Sequence, residues 1–154
     1  MINAPGLMLL LAISLVSLWY QQEVVSGNQE LLSSEAETTA SAFELYHQQL
    51  TLYAERNPGV TGSPGDSAVG LPDWYTKPAA VKGYVTAGGA YTSCVGCPAE
   101  VLFRLIEISE GSMRIGVAEG AGASSKLRSP LHNNLMTLPA GAGIPAGAIV
   151  HASK

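Results

Sequence analysis

The sequence predicts an α+β protein: an amino-terminal transmembrane helix continues into an amphipathic stem helix, followed by a small mixed α/β domain. Three observations predict it. No Lys or Arg occurs before Arg56, and within that stretch lies a charge-free apolar run from Gly6 to Tyr20. Apolar residues then recur at helical spacing from Leu32 to Tyr53. Beyond Pro58 the chain becomes rich in Gly and Pro, with apolar residues in short runs bounded by turn signals. The organisation expected is therefore an anchor over 1–22, a helical stem over 23–57, a turn-rich connection over 58–80 and a compact domain over 81–154.

The anchor comes first. A helix from Ile2 to Tyr20 reaches roughly 28 Å, close to the thickness of a hydrocarbon core. Leu7, Leu10, Ile13, Val16 and Trp19 are its anchor residues, and Trp19 with Tyr20 suits the aromatic belt at a bilayer boundary. A cleaved secretory signal is the first alternative, but Met1 to Pro5 carries no charged side chain and the run ends in Trp19-Tyr20-Gln21-Gln22-Glu23 instead of small residues. A buried core helix is the second. Basic residues that would orient the span are lacking, while Glu23, Glu30, Glu35, Glu37 and Glu44 follow it. This favours an uncleaved anchor with its amino end inside and the globular part outside.

The stem follows. Leu32, Ala36, Thr39, Phe43, Tyr46, Leu50 and Tyr53 alternate at spacings of four and three, the signature of a narrow apolar seam. Glu35, Glu37, Glu44, Gln48 and Gln49 lie off it. Asn57-Pro58-Gly59 ends the helix, because Pro disfavours helix in the residue before it. The seam either packs on the protein's own domain or, through Leu32, Ala36, Phe43, Tyr46, Leu50 and Tyr53, meets another protein's helix.

In the connection, Pro-Gly and Gly-Ser-Pro combinations predict consecutive turns. Trp74 and Tyr75 are expected to dock it on the domain, with a ligand platform as the alternative. Val81 to Ala87 predicts a strand. Ala87 to Ser93 reads as a Gly-rich loop. Pro98 to Ser109 predicts a helix with Val101, Leu102, Leu105 and Ile106 on its apolar face, a strand over Val101 to Ser109 being the rival assignment. Met113 to Ala118 predicts a strand, Gly120 to Ser125 a loop, and Ala148 to Ala152 a last strand.

Chemistry-bearing motifs are few. Cys94-Val95-Gly96-Cys97 can form a structural disulfide, act as a dithiol redox centre or supply half a metal site. The metal option needs two further ligands, and His47, His132 and His151 have no ligand spacing. The redox option would gain from a helix starting at Pro98, whose dipole favours a Cys97 thiolate. A structural disulfide is favoured. No nucleophile elbow is present, no carboxylate pair can be argued, and Gly120 to Leu127 lacks the residues of a phosphate loop. No catalytic residue, metal or cofactor is assigned, and the expectation is a protein that is not an enzyme. With 154 residues, net charge −4 and 13% charged residues, the chain has no electrostatic footprint for nucleic acid.

The apolar start, the long helix ending near Asn57-Pro58, the run Glu110-Gly-Ser-Met-Arg-Ile-Gly-Val117 and the terminal Leu138-Pro139…Ile144-Pro-Ala-Gly-Ala-Ile-Val150 carry a resemblance. Over essentially its whole length the chain resembles the PilM family, small inner-membrane proteins of the type IVb thin-pilus systems of conjugative plasmids and some enterobacterial islands. The resemblance implies a non-enzymatic part in building or operating a pilus, a single pass through the inner membrane and a periplasmic carboxyl-terminal domain. It implies other inner-membrane pilus-assembly proteins as partners, with lipid held by the anchor and homo-oligomers left open. A diverged minor pilin is an alternative, although a cut after Gly6 would put Leu11 where pilins have glutamate, with no basic leader in front. A membrane-tethered thiol-disulfide protein using Cys94 and Cys97 is the other.

Overall fold

The computed structural model describes residues 33–120, 122–133 and 135–153. Ala36–Lys154 form one compact unit, and the fold is that of this unit. Among the described residues no helix is long and apolar enough to cross a membrane. The anchor expected over 1–22, with Leu7, Leu10, Ile13, Val16 and Trp19, and the seam residue Leu32 lie outside them.

Helix α1 is described over 33–56. Asn57 ends it: both its backbone N–H and its side-chain amide donate to the Tyr53 carbonyl, at 3.0 and 2.9 Å. Pro58 then forbids continuation. A one-turn helix, α2 (Asp66–Val69), sits in the connection, where Lys77 pairs with Asp66. Two strands follow as a hairpin, β1 (Val81–Thr86) and β2 (Gly89–Cys94), turning through Ala87-Gly88 with Gly88 at φ 79°. Helix α3 (Ala99–Ile108) is next, with Pro98 as its cap residue and Glu100 in its first turn, where the dipole favours an anion. Then come β3 (Ile115–Glu119), β4 (Lys126–Arg128), β5 (Leu135–Thr137) and β6 (Ile149–Ala152).

The strands form one antiparallel sheet in the order β1-β2-β6-β3-β4-β5. The last strand thus occupies the middle, pairing Thr92 with His151 on one side and Ile115 with His151 on the other. Period-two alternation divides the sheet's side chains between two cores. Val81, Val85, Ala90, Cys94, Ile115 and Ile149 join α1 and the Val101, Leu102 and Leu105 side of α3. Ala118, Val150 and Ala152 face the other way, against Leu127 and the Leu138, Ile144 and Ala148 side chains of the β5–β6 connection. Helices therefore cover one face, and an irregular Gly/Pro-rich segment covers the other.

The α+β character, the end of α1 and strands β1, β3 and β6 agree with the sequence reading, and the stretch from Pro98 to Ser109 holds helix α3 instead of a strand. Two corrections follow. The Ala87 to Ser93 stretch is not a loop: most of it is β2, whose Gly89 and Ala90 lack β propensity but are buried between neighbours. The seam of α1 packs on the protein's own domain, the first of its two readings, but its phase differs. Ala36, Phe43, Tyr46 and Leu50 are buried in the protein's own core and Tyr53 is half-buried against it. The buried stripe is Ala36-Ala40-Phe43-His47-Leu50-Ala54 with Tyr46 beside it, one residue out of phase with the expected seam at Thr39 and Tyr53. Small side chains at 36, 40 and 54 let the helix lie close to the sheet, and a narrow a/d stripe widens when the partner is a flat surface.

Candidate functional site

The phase of α1 places two polar residues, Glu44 and His47, on its sheet-facing side, one helical turn apart. Thr92 of β2 and His151 of β6 lie opposite, as direct cross-strand partners. The four converge. Nδ1 of His47 and Oγ1 of Thr92 share a hydrogen bond at 3.0 Å. Nδ1 of His151 donates to Oε2 of Glu44 at 3.0 Å. A carboxylate can only accept, so Nδ1 of His151 carries the proton. The two imidazoles are stacked, centroids 3.7 Å apart and planes 20° from parallel. Gln48 donates from its side-chain amide to the other Glu44 oxygen at 3.3 Å.

The cluster is nearly dry. His47 and Thr92 are buried, and the side chains of His151 and Glu44 are 11% and 15% exposed. Burial, reinforced by repulsion from His151 and only partly offset by Glu44, pushes the His47 imidazole down to about 3. For Glu44 burial acts upward, yet the His151 hydrogen bond, attraction to the neighbouring histidines and the Gln48 hydrogen bond together outweigh it, so its carboxyl lies below the ordinary value. His47 is thus held neutral beside an ionised carboxylate. Chemically the arrangement ties α1 to strands β2 and β6 by groups whose charge depends on pH. Among the described residues no set of three or more His, Cys, Asp or Glu is arranged to hold a metal ion.

The predicted cysteines lie elsewhere on the same face. Cys94 ends β2 in the core, and Cys97 precedes the first turn of α3. Their sulfur atoms are within bonding distance and their Cα atoms are 5.7 Å apart, inside the range of about 4.4–6.8 Å usual for disulfides. Of the two aromatic residues in the connection, Tyr75 docks. Its hydroxyl donates to the Ala42 carbonyl of α1 at 2.8 Å, and burial, with Asp66 nearby, pushes its phenol up to about 12. Trp74 is 76% exposed. Sequence reasoning missed Glu44, Thr92 and the pairing of His47 with His151. The available signal was the stripe Ala36-Ala40-Phe43-His47-Leu50-Ala54, in which a histidine occupies an interior position of an otherwise apolar row.

Comparison with known proteins bears on this fold. A family model described as PilM matches residues 9–152, nearly the whole chain. The chain belongs to the PilM family. A crystal structure of a protein named PilM from Escherichia coli B7A is similar at TM-score 0.58 and 19% identity, covering 78% of this chain and 92% of that one. At that identity the likeness concerns the fold. A crystal structure of a protein named PilM from Pseudomonas aeruginosa 2192 is 36% identical, with TM-score 0.48, covering 75% of this chain and 91% of that one. No curated protein matches the chain.

Proposed function

We propose that this PilM-family chain is a non-enzymatic component of type IV pilus biogenesis, held at the inner membrane by residues 1–22 with its α+β domain in the periplasm. The match to the family over 9–152 is the observation that carries the reading. The domain works through protein–protein contacts with other inner-membrane assembly proteins. Those contacts fall to surfaces other than the α1 stripe, which the protein's own sheet covers. Exposed Phe103 on α3 and Trp74 in the connection are large apolar side chains of the kind such contacts use.

An in-frame deletion scored for surface pili tests this. Loss of pili is expected, restored by the full chain and not by a chain lacking Met1 to Gln22. Normal piliation in the deletion strain overturns the reading. A shortened mature chain in sheared pili would transfer it to the minor-pilin class.

A further inference from the structure

Helix α1 supplies the largest share of the helical face of the core, yet its sheet-facing stripe is interrupted by an imidazole. His47 stacks on His151 at 3.7 Å and bonds to Thr92, while His151 bonds to Glu44. Among the described residues, the charges that act on Glu44 and His47 come from each other and from His151; Tyr75 and Lys77 of the connection meet α1 at Ala42 and Tyr46. From β3 the row neighbour of His151 is Ile115. From β2 it is Thr92. Helix α3 turns Val101, Leu102 and Leu105 to this core and keeps Glu100, Arg104 and Glu107 on its outer side, Arg104 and Glu107 as a partly exposed pair. The β1 side chains in the core are Val81 and Val85. Glu44, His47 and His151 are therefore the titratable groups of the cluster. One carboxylate can balance one imidazolium. A second imidazolium, stacked on the first and away from water, has nothing to balance it.

We propose that the Glu44–His47–His151–Thr92 cluster is an acid-releasable latch, which holds α1 on the sheet near neutral pH and lets it go on acidification, baring the apolar stripe of Ala40, Phe43, Tyr46 and Leu50. Protonation of His47 is unfavourable while it is enclosed and unhindered once α1 has moved off. Its docked value of about 3 lies below the ordinary 6.5 of the released state. Its contribution to docking is therefore fully present above pH 6.5 and is lost progressively as pH falls below that. Glu44, lowered in the docked state from 4.5, acts in the same direction at still lower pH. The released stripe is an apolar helix face of the type that packs against a second helix or sheet.

Hydrogen exchange of the full chain, followed by segment from pH 7.5 to 4.5 and corrected for intrinsic rate, tests the latch. The α1 amides should lose protection by about 100-fold over that range, as one proton linked to release at 6.5 requires. The β2 and β6 amides should lose far less. His47→Leu combined with Thr92→Val, which removes the imidazole together with its hydroxyl partner, should leave α1 protection nearly flat. Glu44→Gln removes the carboxylate that partly offsets protonation of docked His47, so the loss of α1 protection below pH 6.5 should persist in full with the same onset. Loss of β2, β6 and α1 protection together, or α1 protection unchanged down to pH 4.5, overturns the proposal. So does a double variant that tracks the wild type. Where the double variant does not fold, the segment pattern of the wild type and the persistence of the loss in Glu44→Gln decide, a Glu44→Gln chain with flat α1 protection overturning the proposal.

Discussion

At Gly83 the absence of a side chain is what lets α1 lie against β1. A Cβ built there would stand 2.6 Å from the Tyr46 hydroxyl, 2.8 Å from its Cε1 and 2.9 Å from Leu50 Cδ2. Neither side chain can swing away, because both are fully enclosed. Tyr46 is fixed further by the Lys77 ammonium 5.1 Å from its ring centre, and burial pushes its phenol up to about 12. Gly83→Ala should therefore destabilise the protein by about 1–3 kcal/mol as an overpacked contact. The urea midpoint measures it, and the penalty should shrink in a Tyr46→Leu background, the two sites being in contact. An unchanged midpoint in the single variant would show that the helix has room to retreat. Such a glycine reads in sequence only as a weak point in a strand. His47 is the converse case. Its interior place was legible from the alanines at 36, 40 and 54, but an imidazole among polar Gln48 and Gln49 resembles a solvated residue until the phase of the stripe is known.

Among the elements, those with a strong local signal were legible and those made by pairing were not. Helix α3 announces itself through Pro98, Glu100 and the Val101, Leu102, Leu105 spacing. Strands β4 and β5 are three residues each and exist because Leu127 and Met136 are cross-strand partners beside β3. No three-residue window carries a period. The cysteine pair joins one element of each kind, the end of β2 and the start of α3. As a disulfide it closes a loop of only two intervening residues, so the chain-entropy gain is about 2 kcal/mol. Oxidised and reduced wild type should accordingly differ by about that amount in urea, with the same slope. Comparing redox states of one sequence avoids the cavity that replacing buried Cys94 would leave. Identical midpoints would remove the stapling role.

For the whole molecule, the decisive feature is that β6 lies at the centre of the sheet. It joins the β1–β2 hairpin to the β3–β4–β5 meander, and among the described residues no other strand bridges the two. This order also builds the candidate site: Glu44 meets His151 across 107 positions and His47 meets Thr92 across 45. Sequence order alone does not bring such residues together, which is why the cluster escaped a reading that judged the histidines by spacing. The same topology makes folding depend on the last residues. Ile149 and Val150 each fill a different face of the sheet, and His151 carries the bond to α1. A chain ending before Ile149 keeps every other element yet lacks the ladder on both sides of the gap, leaving the inner edges of β2 and β3 unpaired. It should therefore show no cooperative unfolding transition and no near-ultraviolet dichroism. A synthetic peptide spanning Ile149 to Lys154, added in excess, should restore part of the signal by pairing between the two edges. A truncated chain that still unfolds cooperatively would mean that the hairpin and the meander close on each other without β6.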